Sequence, residues 1–140
     1  MPRKILFIGY GYTAKALAAL LSADSWRLAA TARSAEKAAS LSAAGVEPVL
    51  WTQAGLGPET LDGVDALLVS TPPCGDDCPA FAALKDALPT KARDISWTGY
   101  LSSNAVYGDR GGAWVDETSD LRPMTDRGYA RVAAEARWAG

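Results

Sequence analysis

The sequence predicts a three-layer α/β domain built on one doubly wound parallel sheet of about five strands. Three observations predict it. Short apolar runs alternate with segments of helical spacing, a glycine-rich turn lies directly between the first run and the first helical segment, and the composition is globular at 49% hydrophobic and 21% charged residues. A chain of 140 residues is long enough for one core and short for two full domains, so residues 1–140 read as a single domain with no separate substrate domain.

Lys4 to Ile8 is an apolar run that ends at Gly9, and Thr13 to Leu21 carries Ala14, Leu17, Ala18 and Leu21 at helical spacing. Strand, tight turn and helix follow from that order. Leu28 to Thr31 is a second strand, and Ser34 is placed to cap an alanine-rich helix running through Leu41. After the helix stop at Gly45, Val46 to Leu50 makes a third strand, which Pro48 assigns to an edge. Gly55, Gly57, Pro58 and Gly63 mark a loop with a brief helical turn before the fourth strand, Ala66 to Ser70, a continuous apolar run of the buried parallel type. Thr71-Pro72-Pro73 ends it. Phe81 to Leu88 then reads as a helix with Leu84 and Leu88 on one face, and Ile95 to Ser102 as the fifth strand. A polar loop leads to a terminal helix from about Thr125 to Trp138, with Val132, Ala133, Ala136 and Trp138 as its packing residues. Such alternation implies right-handed β-α-β crossovers.

A net charge of −2 argues against nucleic acid as a partner, since phosphate backbones are gripped by clustered Lys and Arg. The opening apolar run is too short for a signal peptide, and no stretch approaches the roughly 20 residues of a membrane span. No membrane association and a cytoplasmic location are expected. Cys74 and Cys78 have neither zinc-knuckle nor thioredoxin spacing, and without a histidine in the chain they read as small apolar residues flanking a turn, with no metal site.

The first turn reads Gly9-Tyr10-Gly11-Tyr12-Thr13-Ala14. Between a strand and a helix, a G-x-G-x-x-A pattern has a mechanism. Gly9 permits the sharp turn, Gly11 lets the backbone approach a pyrophosphate, and Ala14 is small enough for close helix-sheet packing. The diphosphate of a dinucleotide would then meet unpaired N–H groups, those of Tyr12, Thr13 and Ala14 among them. Sites selective for NAD place an acid near the end of the second strand, about 20 residues further on. Here that place reads Thr31-Ala32-Arg33-Ser34. Arg33 with the Ser34 hydroxyl suits an adenosine 2′-phosphate, which favours NADP, with NAD as the alternative.

After the fifth strand comes Ser102-Ser103-Asn104-Ala105-Val106-Tyr107-Gly108, followed by Trp114-Val115-Asp116-Glu117 and Pro123. With the glycine turn, these segments resemble the extended short-chain dehydrogenase/reductase family, the NAD-dependent epimerase/dehydratase group, over essentially the whole chain. The resemblance implies a Rossmann fold and nucleotide-sugar or related oxidoreductase chemistry. It makes Ser103 the hydroxyl that binds the reacting substrate oxygen, and Thr71-Pro72 the wall beside the nicotinamide ribose. It also implies a tyrosine and a lysine four residues apart on the last helix, and there the sequence departs. Aligning Arg131 to Glu135 with the family's "K-x-x-x-E" puts Arg127 in the tyrosine place and Arg131 in the lysine place, and arginine does not deprotonate in proteins. Setting Tyr129 in the tyrosine place puts Ala133 in the lysine place. An atypical branch with an altered pair is the better resemblance, in which Arg131 supplies positive charge near the ribose.

Extended members run on for a further comparable length, so the chain is expected to be the first half of such a protein. If the chain is complete, its fifth strand is an edge bearing Trp97, Tyr100 and Leu101, implying a homodimer or a poorly stable fragment. Two other readings stand beside an enzyme: a non-catalytic dinucleotide-sensing or regulatory module, and an inactive fragment.

Overall fold

A computed structural model describes every residue except Ser22 and Asp76. Strands β1 (Arg3–Ile8), β2 (Trp26–Ala32), β3 (Glu47–Leu50), β4 (Ala66–Val69) and β5 (Trp97–Tyr100) form one sheet in the order β3-β2-β1-β4-β5, every pair parallel. The chain winds outward from β1 to β3, crosses back to β4 and continues to β5. Its winding therefore reverses between β1 and β4, where an α/β sheet opens a crevice beyond its carboxyl ends.

The doubly wound arrangement follows from strands that are apolar on both sides. In β1, Ile5 and Phe7 face one core and Leu6 and Ile8 the other, and all four are essentially shut off from water. Helices α1 (Tyr12–Leu20) and α2 (Ala35–Ala43) cover the first face through Ala14, Ala18 and Leu41. The second is covered by α3 (Pro79–Leu84), α4 (Leu88–Lys91) and α5 (Asp126–Ala139) through Ala80, Leu84, Leu88 and Ala134. As expected, β3 lies at one edge. At the other edge is β5, where Trp97 stays 50% exposed. Among the described residues no helix is long and apolar enough to cross a membrane.

The helix expected over 81–88 is two pieces instead. Proline lacks an N–H and its ring collides with the preceding helical turn, so Pro89 cannot continue α3 and stands near the start of α4, where no such bond is needed. The fifth strand is shorter than expected, closing at Tyr100, although the Leu101 N–H still reaches the Val69 carbonyl at 2.9 Å. The terminal helix begins as anticipated, with the Thr125 hydroxyl accepting the Gly128 N–H at 3.1 Å. Trp138 packs inward as expected, but the rest of the inward face differs. Buried positions are Gly128, Ala130 and Ala134, continued by Trp138 along the i, i+4 row, while Val132 and Ala133 are half-buried and Ala136 is exposed. Trp138 lies edge-on to Phe81 at 5.2 Å, and its indole N–H donates to Cys78 Sγ at 3.3 Å. Cys78 is thus a core residue, whereas Cys74 is exposed in a turn closed by paired bonds with Asp77.

Leu67 is fully buried in the centre of the second core. Replacing it with alanine should lower unfolding free energy by about 2–5 kcal/mol in equilibrium urea denaturation, through lost transfer energy plus the cavity left behind.

Candidate functional site

At the end of β1 the backbone turns through Gly9 at φ 88° and enters α1 with Gly11 as its N-cap. Hydroxyls from both flanking strands hold the turn. Thr31, buried near the end of β2, accepts the Gly9 N–H at 2.9 Å. Ser70, just past β4, points its hydroxyl at the Ile8 and Gly9 carbonyls, at 3.3 and 3.2 Å. A side chain at Gly9 would be strained by the positive φ, and its Cβ would stand 2.9 Å from Ser70 Oγ. The neighbourhood of Gly11 is different, because a Cβ there would meet nothing within 4 Å. No side chain caps α1 and its first turn holds no acid, so the leading amides of the helix open onto free space with the positive end of its dipole. Ala14 is fully buried against the sheet, the close packing expected of it.

Three hollows lie in series along the carboxyl ends of the strands. The central one, about 510 Å³, brings together Gly9, Gly11 and Tyr12 to Ala14 with Arg33, Thr71 and Pro72. Arg33 also borders a hollow of about 330 Å³ with Trp51, Thr52 and Gln53, its guanidinium 5.4 Å from the centre of the Trp51 ring. Pro72 in turn borders a third of about 680 Å³, with Ser103, Arg127 and Arg131. The central hollow shares Arg33 with one neighbour and Pro72 with the other, so the three adjoin one another across the point where the winding reverses. Their residues suit an elongated anion: open backbone at Gly11, uncapped amides beside it, and a cation at each end. Ser34 stands slightly apart, its Oγ accepting the Lys37 N–H at 3.1 Å as the cap of α2, with the hydroxyl hydrogen left to donate.

In the third hollow, Ser103 Oγ accepts the Ala105 N–H at 3.2 Å and caps a short 3-10 turn. Arg131 Nη1 donates to the Leu101 carbonyl at 2.9 Å and meets the Tyr100 phenol at 3.4 Å, joining α5 to the end of β5. Burial raises the Tyr100 phenol above its ordinary pKa, and the neighbouring Arg131 opposes that shift without cancelling it. Arg127 sits one turn before Arg131 and lines the same hollow. Tyr129 points elsewhere and is 61% exposed, so it is not a partner for Arg131.

The segments carrying the resemblance are partly structural. A Cβ on Gly108 would run into the Arg122 carbonyl, which is how the chain returns past Val106. Asp116 accepts from the Thr118 N–H at 2.9 Å and its hydroxyl at 2.6 Å, bonds that hold its carboxyl below the usual range and close a turn. Sequence reasoning passed over Thr31, Ser70 and Trp51. Each is a hydroxyl or aromatic residue at or just past the carboxyl end of a strand, a position whose use only its neighbours reveal.

Gly9→Ala should cost about 1–3 kcal/mol of stability through backbone strain, whereas Gly11→Ala should change it by less than about 1 kcal/mol, both read by urea denaturation. Tyr100 gives a pH prediction. With its folded pKa above the unfolded value of 10.0, its contribution is complete below that pH and lost as pH rises through the folded value. The wild-type melting temperature should therefore fall more steeply above about pH 10 than that of Tyr100→Phe.

No protein-family model matches the chain, and no curated protein does. Solved structures do match. A functionally unknown conserved protein from Silicibacter pomeroyi DSS is 43% identical over 97% of this chain and 47% of its own, with a TM-score of 0.86. A UDP-glucuronic acid 4-epimerase from Bacillus cereus, solved with NAD and a fluorinated UDP-sugar, is 18% identical over 97% of this chain and 51% of its own, with a TM-score of 0.72. Gre2 from Candida albicans, solved with NADPH, is 16% identical over 99% of this chain and 52% of its own, with a TM-score of 0.67. The chain spans about half the length of each of these structures. Over nearly all its residues, the chain carries the Rossmann fold shared with epimerases and reductases of the kind that its resemblance to the extended short-chain dehydrogenases/reductases implies.

Proposed function

We propose that residues 1–140 form one nicotinamide-dinucleotide-binding domain of the epimerase and reductase type, with NADP favoured over NAD. The observation that carries this reading is the row of three adjoining hollows, from Trp51 past the glycine turn to Ser103, with Arg33 and Pro72 as the residues they share. Structural neighbours solved with NAD and with NADPH support a nicotinamide dinucleotide.

In this reading the amides of Tyr12, Thr13 and Ala14 bind the diphosphate across Gly9 and Gly11. Arg33 and the Ser34 hydroxyl pair with the adenosine 2′-phosphate, the guanidinium kept in place by the Trp51 ring. Thr71 and Pro72 wall the nicotinamide ribose. Bound nicotinamide supplies hydride transfer to or from a substrate carbon. Ser103 orients the substrate oxygen through its hydroxyl hydrogen, since its oxygen already accepts from Ala105. Arg131 fixes the strand end that leads to Ser103 and adds positive charge there.

A second reading, a dinucleotide-sensing module that binds without turnover, is favoured by one observation. In the register that sets Arg131 in the lysine place, arginines take both places of the proton-exchanging pair, both line the same hollow, and neither can give up a proton near neutral pH. Turnover with added carbonyl or sugar-nucleotide substrates separates the two.

Calorimetric titration should show NADPH binding more tightly than NADH. Arg33→Ala should weaken NADPH by about ten- to a hundredfold and leave NADH nearly unchanged. Equal losses for both would remove the preference for NADP, and no binding of either by the wild type would remove the reading altogether.

A further inference from the structure

The hollow beyond Pro72 carries an unbalanced charge. Arg127 and Arg131 lie on successive turns of α5 and border the same space. Among the described residues neither joins an ion pair, although the chain as a whole has more acidic than basic residues, 16 against 14. The partners of half-buried Arg131 are neutral, a carbonyl and a phenol. A guanidinium stays charged at any pH near neutrality, so its partial burial without an ion-pair partner costs free energy that an anion would offset. Of the nearby acids, Asp126 lines the hollow, while Glu135, one turn beyond Arg131 and close enough to act on Tyr100, is not part of the lining, which therefore carries one negative charge against two positive ones.

We propose that this hollow takes a small molecule bearing a carboxylate or phosphate, whose oxyanion sits against Arg127 and Arg131 while the remainder extends to Ser103. The proposal rests on the reading of this hollow as the substrate end of the row and narrows the substrate to an anionic class. Two guanidinium groups a turn apart can each give a planar fork to one oxyanion, which fixes direction as well as position. Held by one end, the molecule would present an oxygen to the Ser103 hydroxyl on the wall shared by the same space. The same pair of arginines thus replaces a proton-exchanging pair by an anchoring one.

Malonate and inorganic phosphate, titrated separately by calorimetry at ionic strength fixed with sodium chloride, test this on the chain saturated with NADPH. One site should bind at least one of the two probes, and the tighter one identifies the oxyanion preferred. Arg127→Ala should weaken that binding by about tenfold or more, with partial recovery in Arg127→Lys, which keeps the charge but not the fork. Arg127 is exposed and, among the described residues, its side chain joins no hydrogen bond or ion pair, so circular dichroism of this variant should match the wild type. Failure of both probes to bind, or equal affinity in wild type and Arg127→Ala, would overturn the proposal. Repeating the titration without nucleotide keeps the two claims apart. Loss of NADPH binding with Arg127-dependent anion binding retained would count against the nucleotide reading alone, and the converse against the anion site alone.

Discussion

Everything at the carboxyl end of the sheet depends on how the backbone is pinned at Gly9. The turn sits between the two strands that flank β1, and each sends it one hydroxyl: Thr31 takes the Gly9 N–H, and Ser70 gives its hydrogen to the carbonyls. A half-buried turn past the end of a parallel strand has few routes within the chain to satisfy its polar groups, because the ladder has ended. With both groups satisfied locally, the amides that open α1 stay free for something outside the chain. The same bonds tie the glycine turn to the β1/β4 junction, so the reversal of winding and the central hollow occur at one place.

The helices follow from the residues that fill the two cores. Small side chains bring α1 close, with Ala14 and Ala18 against Ile5, Phe7 and Ala30. Larger ones build the opposite side, where Leu6, Leu67 and Leu84 meet Trp138 and Phe81. Close approach of α1 aims its positive end at the space beside Gly11. On the far side α5 approaches through Gly128, Ala130 and Ala134, which carries Arg127 and Arg131 to the rim. Packing and site are therefore consequences of the same choice of small residues.

Most of the fold was legible in the sequence because burial on both faces leaves unbroken apolar runs, and Lys4 to Ile8 and Ala66 to Val69 are such runs. The glycine turn was legible because it sits where strand hands over to helix. What was not legible depended on tertiary context. The inward row of α5 was hidden by an alanine-rich helix with small residues on several sides, whereas the break before Pro89 was marked locally by the proline itself. At the site, Gly9, Gly11, Tyr12, Thr13, Ala14, Arg33, Thr71 and Pro72 were named from spacing and resemblance and share one hollow. The roles of Thr31, Ser70 and Trp51 were not visible, since a hydroxyl at a strand end or an aromatic after one has many possible uses until its neighbours are known. Arg127 looked like a mismatch in a motif, and only the shared hollow turns it into a feature.

The claim at the centre is that a diphosphate is received by the first amides of α1. Amide chemical shifts of isotope-labelled protein, followed during titration with NADPH, test it most directly. The largest changes should fall on Gly11, Tyr12, Thr13 and Ala14 and saturate together with those of Arg33. Changes confined to residues away from the carboxyl end of the sheet, or no saturable change at Gly11 to Ala14, would contradict it.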